Sequence, residues 1–362
     1  CILLIELLAL PYVAYTWSAK ETKSLQTKVV QSQMSIFGGI FFIPVISCLA
    51  EGAFCSKFTT AECSFFMPIA IVELVIFVVL VLLVSVMYFD SRPKSKSMTA
   101  RPHARIHVLS VFTRGLLALV FTSIQNVGSS NTSVLKFWSC LCAITLTLLC
   151  ASYTWYQPYF HQRANFIRAL STAVAAWLAI CSAVHVLKTG GVSTTTTEEC
   201  VYSTDSTITV TIFGGLSLVL PLIWVGIHYR RYSLQMKPAN QCSNVYELEL
   251  KGRLEIQGLG IHHISDLNKA DKEEIQNRAS RVNQWYMDAA TLFPLSGALC
   301  MFHAIYLLSF LPNKTPMVRR AIVIGIKRGL SPDFHVIAYK VRRTLEETIQ
   351  GSSDVLSIVR SE

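Results

Sequence analysis

Seven long apolar segments constrain this fold more than any other feature of the sequence. A helix needs roughly 20 apolar residues to cross a hydrocarbon core of about 30 Å, and seven segments approach that length. They are residues 2–17, 34–50, 65–89, 106–124, 134–155, 164–187 and 207–228. With 52% hydrophobic and 15% charged residues, the chain carries more apolar side chain than a soluble surface could hide. The sequence therefore predicts an all-α polytopic membrane bundle of about seven spans.

Basic residues in the connecting loops predict the direction of these spans. Lys and Arg resist translocation and stay on the cytoplasmic side. Alternate loops hold 13 basic residues: Lys20, Lys23, Lys28, Arg92, Lys94, Lys96, Arg101, Arg105, Arg163, Arg168, Arg230, Arg231 and Lys237. The intervening loops hold three: Lys57, Lys136 and Lys188. This alternation predicts a cytoplasmic carboxyl tail.

Two further signals fall in loops that are predicted to lie outside. Asn131-Thr132-Ser133 is a glycosylation acceptor pattern. Cys55 and Cys63 lie in one outer loop and Cys200 in another, where an oxidising environment permits a disulfide. We expect a Cys55–Cys63 bridge, with Cys200 as a rival partner and three free thiols as the alternative.

Four ionisable residues lie within the apolar segments, namely Glu6, Glu73, Arg114 and His185. A charge at that depth costs several kcal/mol unless it is paired or reaches water. Glu73 and Arg114 each lie about 12 Å from opposite ends of consecutive spans, at about 1.5 Å per residue, so we expect them to pair. The alternative is a proton or ion path through Glu73. His185 is close to an outer end and can reach water.

The last third of the chain predicts a soluble helical segment. We divide the chain into a membrane bundle (1–237), a linker (238–267) and cytoplasmic helical repeats (268–362), with an amphipathic linker helix over 247–257. Apolar residues at spacings of three and four predict helices over 269–292, 295–311, 317–329 and 333–349. A shift of 35 residues superposes the second pair on the first, close to the period of tetratricopeptide-type repeats. The 295–311 helix is short and contains His303, so we expect a buried core helix rather than an eighth span.

Sequence motifs for catalysis are not found. No phosphate-binding glycine loop occurs, and we assemble no nucleophile, base and orienting group. Cys140 and Cys142 face different sides of a helix and make poor joint metal ligands. Basic residues edge the apolar spans rather than a soluble face, which argues against nucleic acid as a partner. The sequence therefore predicts no enzyme, metal or cofactor.

Several motifs together resemble the tiny macrocysts protein B family of protists and algae. They are Ile43-Pro44 followed by the 51–55 loop, Tyr153-x-Trp155-Tyr156-x-Pro158-Tyr159-Phe160, Asn165-x-x-Arg168, Phe293-Pro294-x-Ser296 and Ser331-Pro332-Asp333-Phe334. The resemblance implies a multi-span module with cytoplasmic helical repeats, joined in some relatives to sensory or signalling domains. It implies no catalytic residues.

These features predict a membrane sensory or scaffold module whose repeats bind an unknown cytosolic protein. A channel or transporter subunit with a polar path through Glu6, Glu73 and Arg114 is the alternative, and a seven-span receptor a weaker one. We expect the bilayer as a partner, a plasma or ciliary membrane location, and a chain compatible with homo-oligomers. Because Cys1 already lies in an apolar run and two repeats bury little core, we expect further sequence at both ends.

Overall fold

The computed structural model describes residues 42–54, 60–87, 89–93, 100–127, 132–189, 206–257 and 269–359. Within these ranges the regular elements are helices. They are α1 (Phe42–Phe54), α2 (Thr60–Met87), α3 (Arg105–Val127), α4 (Thr132–Tyr156), α5 (Gln162–Thr189), α6 (Ser206–Met236), α7 (Val245–Gln257), α8 (Lys269–Leu292), α9 (Gly297–Phe310), α10 (Thr315–Lys327) and α11 (Pro332–Val359). The described part of the chain is thus all-α, as predicted.

Five of these helices are long and apolar enough to cross a membrane. Their spanning stretches are Cys63–Val86, Arg105–Ser123, Ser133–Tyr156, Gln162–Leu187 and Phe213–Met236, and they match the last five of the seven predicted spans. The second predicted span corresponds to α1, which has only 13 residues in the described part. The first, 2–17, lies outside the described residues. The described chain therefore supports five spans rather than seven.

The chain divides into two compact units, each built from separate stretches of sequence. The first unit comprises Cys1–Tyr88, Ile106–Ala151 and Leu170–Pro221. The second comprises Phe89–Arg105, Ser152–Ala169 and Leu222–Glu362. Two stretches at the ends of apolar helices, 152–156 and 222–236, thus belong to the same unit as the predicted soluble segment. We predicted domains that are continuous in sequence, with boundaries at 237 and 267. That division stays a prediction.

The first unit has an apolar core where α1 crosses α2 and α3. Phe42 stacks on Phe77 with ring centroids 5.8 Å apart, and Ile46 is fully buried in the same cluster. Gly115 of α3 faces this cluster, since a Cβ there would lie in ordinary van der Waals contact with Ile46 Cδ1, at 3.4 Å. α1 is therefore a packed core helix.

In the second unit, α8 to α11 occur where the apolar spacing predicts them. Nine residues of α9 are buried, so the expectation of a buried core helix is confirmed. Ser296 caps its first turn by accepting a hydrogen bond from Leu299 N at 3.2 Å. Phe302 meets the Phe334 ring of α11 edge to face at 5.1 Å. The tetratricopeptide-like nature of these pairs stays a proposal.

Three glycines allow α9 to approach the end of α10. A Cβ on Gly297 would lie 2.9 Å from the carbonyl oxygen of Gly325 and still closer to that of Gly329. Gly329 has φ +85°, the left-handed conformation that ends α10 after Lys327. Two of the three atoms nearest to this Cβ are backbone oxygens, which cannot move aside as the third, Leu330 Cδ2, can.

We expect Gly297→Ala to lower the free energy of unfolding of the second unit by about 1–3 kcal/mol, because overpacking at this crossing exceeds the helix-propensity gain of alanine. Thermal unfolding of the purified chain measures it. Gly214→Ala is the matched control, since a Cβ there meets nothing within 4 Å. Equal effects of the two substitutions would contradict the close approach.

Candidate functional site

Helix α7 is buried on all sides although its sequence alternates charged and apolar residues. Leu248, Leu250 and Ile256 are 1–2% exposed. Four charged side chains are buried with them: Glu247, Glu249, Lys251 and Arg253. The predicted helix is present, but the amphipathic interpretation is wrong, because its polar positions face protein rather than water. We call α7 and the groups bonded to these four side chains the polar junction.

Glu247 anchors the start of α7 to the end of α6. Its carboxylate accepts hydrogen bonds from Arg230 at 2.7 Å, Lys237 at 3.0 Å and the Ser243 backbone N–H at 2.7 Å. Burial alone would raise the pKa of Glu247, but the Ser243 N–H and the two cations overcome it and lower the pKa to about 2. The carboxylate is therefore ionised and fully bonded at neutral pH.

Lys251 binds the last turn of α6. Its ammonium donates to the carbonyl oxygens of Leu234 at 3.0 Å and Gln235 at 3.1 Å, and it lies 5.0 Å from the centre of the Trp285 ring of α8. Burial lowers the pKa of Lys251. One side chain thus joins the end of α6 to α8.

Arg253 holds the turn between α4 and α5. Its Nη1 donates to the carbonyl oxygens of Gln157 at 2.9 Å and Tyr159 at 2.5 Å. Its Nη2 donates to Glu249 at 2.9 Å. Burial raises the pKa of Glu249 against the opposing effect of Arg253. The ion pair is buried on both sides, so removing either partner alone would leave a costly isolated charge.

The turn that Arg253 binds is itself fixed by local hydrogen bonds. Gln157 is fully buried with φ 43°, an unusual conformation for a residue with a side chain. Its Nε2 donates to Ile227 O at 3.3 Å, and its Oε1 accepts from Arg231 at 2.8 Å. Asn165 bonds both the N–H of Tyr159, at 2.9 Å, and its carbonyl, at 2.7 Å. The turn presents its carbonyl oxygens in one arrangement.

The loop between α2 and α3 is bonded to α11. The Ala104 N–H donates to Asp333 Oδ2 at 3.3 Å, and Lys340 Nζ donates to the Phe89 carbonyl at 2.8 Å. His103 is buried in this loop, and burial, with the nearby arginines, lowers its pKa to about 3. The imidazole is therefore neutral at pH 7 and acts as an aromatic packing group, 5.0 Å from the Tyr246 ring.

The opposite side of α7 contacts α8. A Cβ on Gly252 would lie 2.9 Å from Val282, so the two helices touch at this glycine. Arg281 forms an ion pair with Glu255 at 3.0 Å. Arg278 donates to the Glu255 carbonyl at 3.2 Å. α7 is therefore bonded to the ends of apolar helices on one side and to the α8–α11 segment on the other.

This arrangement can transmit a displacement, because a shift of α6 or of the α4–α5 turn would leave buried charges without partners unless α7 moved with it. Within the described residues, no group of three or more His, Cys, Asp or Glu side chains could hold a metal ion. The bonds of the junction link α7 to both of its neighbouring segments at once.

The candidate sites that were predicted from sequence and that the structure describes do not belong to this junction. Glu6, Cys55, Asn131 and Cys200 lie outside the described residues. Cys63 is disulfide-bonded, and its pairing with Cys55 stays a prediction because neither Cys55 nor Cys200 is described. His185 is exposed, and its access to water stays a prediction.

The predicted pair of Glu73 and Arg114 is not formed in this structure. The ion pairs between described residues include none that joins the two. Arg114 instead donates along its own helix to the carbonyl and hydroxyl of Ser110, both at 3.3 Å, and Glu73 is half-buried. An arginine in an apolar helix can thus be partly satisfied by its preceding turn.

Sequence reasoning missed the residues of the junction. Glu247, Glu249, Lys251 and Arg253 alternate with leucines, and such a pattern is also typical of a solvated helix face. One signal was available in the sequence. Gln157, Tyr159 and Asn165, which form the turn that Arg253 binds, lie in or beside two of the motifs on which the family resemblance depends.

Comparisons with known proteins give a distant relationship. The chain is 24% identical over 220 residues to tiny macrocysts protein B of Dictyostelium discoideum, a match that covers 56% of this chain and 15% of that protein. The chain thus spans a small part of the protein that it resembles. No family model matches it, and no solved structure matches it significantly.

We expect Glu247→Gln to destabilise the protein by on the order of 3 kcal/mol at neutral pH, because it removes a carboxylate whose pKa falls from 4.5 to about 2 on folding. A lowered pKa stabilises the fold above pH 4.5, and that stabilisation is lost as the pH falls toward 2. The melting temperatures of the wild type and of Glu247→Gln should therefore approach each other as the pH falls from 4.5 to 2.

Glu249→Gln is the matched control, because burial raises the pKa of that carboxyl. A protein with this substitution should still lose stability as the pH falls from 4.5 to 2, because Glu247 is intact. Wild-type and Glu247→Gln curves that stay parallel down to pH 2 would contradict the assigned role of Glu247.

Proposed function

We propose that this protein is an integral membrane sensory or scaffold module that couples a helical bundle to cytosolic partners through its α8–α11 segment. The observation that carries the proposal is the polar junction. Its buried ion pairs and carbonyl contacts bind α7 both to the ends of apolar helices and to α8. A rigid connection of this kind suits a protein that passes a change in its spans to a bound partner.

Exposed apolar side chains support the membrane placement. Phe112, Phe121, Phe137 and Leu148 are each more than half exposed on helices long enough to span. A monomeric soluble protein rarely presents so extensive an apolar surface. Lipid tails would cover these side chains without any protein partner.

The charge distribution supports a cytoplasmic location for the α8–α11 segment. Basic residues concentrate in the loops and helix ends that belong to the second unit, including Arg92, Arg101 and Arg163. Such residues favour the cytoplasmic side. Within the segment, Val323 and Ile326 are about half exposed and lie three residues apart on α10. They form an apolar surface that a cytosolic protein can cover.

The orientation can be tested with two acceptor patterns in one chain. We expect glycan on Asn131 and none at Asn313, which begins the pattern Asn313-Lys314-Thr315. Asn313 is exposed, so only its compartment would protect it. Glycosidase treatment and mass spectrometry of protein from eukaryotic cells measure both sites, with Asn131→Gln and Asn313→Gln as controls. Sugar at Asn313 would contradict the cytoplasmic location.

Partner recruitment can be tested with the surface of α10. We expect the double substitution Val323→Glu and Ile326→Glu to reduce crosslinked co-purifying protein at least about tenfold, since burying two charges costs more than the roughly 1.4 kcal/mol that a tenfold loss represents. The experiment uses the full tagged chain, and an unchanged melting temperature shows that the fold persists.

Asn277→Glu, an exposed change on α8, is the matched control and should leave recruitment unchanged. Equal recruitment by the double variant and wild type would argue against the scaffold. Ion flux through liposomes that contain the purified chain alone would favour the channel or transporter alternative.

A further inference from the structure

The second unit contains a cavity of about 940 Å³ beside the polar junction. Ligand sites in proteins commonly enclose about 300–1,000 Å³, so this one is large enough for a lipid chain. Its inner wall is aromatic and aliphatic, with Phe302, Tyr286 and Ile256 almost fully buried. Such a wall favours an apolar ligand.

The rim of the cavity is basic and open. Arg163 and His228 are exposed, and His161 is partly exposed. Glu249 is the acidic residue in the lining, and it is bonded to Arg253 at 2.9 Å. The rim therefore carries net positive charge toward an incoming ligand.

Arg253 places a buried cation beside the cavity. It lines the wall and is 9% exposed. Its Nη atoms are bonded to the α4–α5 turn and to Glu249. The guanidinium therefore adds positive charge behind the apolar wall.

The rim lies on helices that are long and apolar enough to span. Arg163 belongs to the first turn of α5, and Trp224 and His228 to α6. Trp224 is half exposed and meets Phe166 edge to face at 5.6 Å. Trp224 lies near the end of the 207–228 span predicted from sequence, and tryptophans at span ends prefer the headgroup layer. Basic pockets between spans bind anionic headgroups.

We propose that this cavity binds an anionic membrane phospholipid, with an acyl chain against Phe302 and Tyr286 and the phosphate at Arg163 and His228. The proposal rests on the membrane placement given under the proposed function, but it does not depend on any cytosolic partner. Lipid bound here would contact α7 directly through Glu249, Arg253 and Ile256.

The test uses the full chain in phosphatidylcholine nanodiscs that contain phosphatidylserine with a photoreactive group on its acyl chain. After illumination, we expect labelled peptides from α9 around Phe302 and from α7. Excess unlabelled phosphatidylserine should compete, whereas added phosphatidylcholine should not.

Two variants and one control make the result specific. Arg163→Glu should reduce labelling of α9 about tenfold by repelling the phosphate, and Ile305→Trp should reduce it by filling the cavity. Arg319→Glu, an exposed charge reversal on α10 outside the lining, should leave labelling unchanged. Melting temperatures identify any variant that is unfolded. Because Arg163 is exposed, Arg163→Glu should stay folded and keeps the test valid even if Ile305→Trp unfolds.

Four results would overturn the proposal. Two concern lipid specificity: labelling confined to the outer faces of the spans, or competition by phosphatidylcholine equal to that by phosphatidylserine. The third is that a free fatty acid competes and phosphatidylserine does not, and the fourth is a crosslink showing that residues 258–268 of the chain occupy the cavity. Failure of the proposed function is distinguishable, since lost partner recruitment leaves lipid labelling intact. A chain that does not insert into nanodiscs would instead contradict the membrane placement.

Discussion

Burial of charge on α7 is the constraint on which the rest of the second unit depends. An ion removed from water costs several kcal/mol unless its bonds are replaced, and this helix buries two carboxylates and two cations. Glu247 and Lys251 are bonded to α6 and the residues just after it, and Arg253 to the α4–α5 turn. Glu249 is paired with Arg253 on α7 itself. The helix therefore has one favourable position, in which all of these bonds are made together.

This requirement explains why a connecting turn contributes to the polar junction. The carbonyl oxygens that accept from Arg253 come from a turn in which Gln157 adopts φ 43°. A regular helix would use those oxygens internally, so only an interrupted chain can present them. Local strain at Gln157 is thus balanced by the bonds that the turn makes to α7.

The helices could be predicted from sequence, but the site could not. Apolar runs and three-and-four spacing depend on neighbours along the chain, so five long apolar helices and α8 to α11 were found. The predicted ends were less accurate, because α6 extends to Met236 rather than 228 and α11 to Val359 rather than 349. The role of α7 depends on contacts with residues far along the chain, such as Arg253 with Gln157, which are 96 positions apart. Arg114, for which we predicted pairing with Glu73, bonds a serine one turn earlier on its own helix.

The separation of bonded residues along the chain also affects the order in which this protein is completed. The Phe89 carbonyl and the Ala104 N–H are synthesised early, yet their partners Lys340 and Asp333 follow 251 and 229 residues later. Closing such long loops is entropically unfavourable and slow. Until the ribosome has released α11, this loop must stay hydrated or be held by a chaperone, so an interrupted translation product would expose it to cellular quality control.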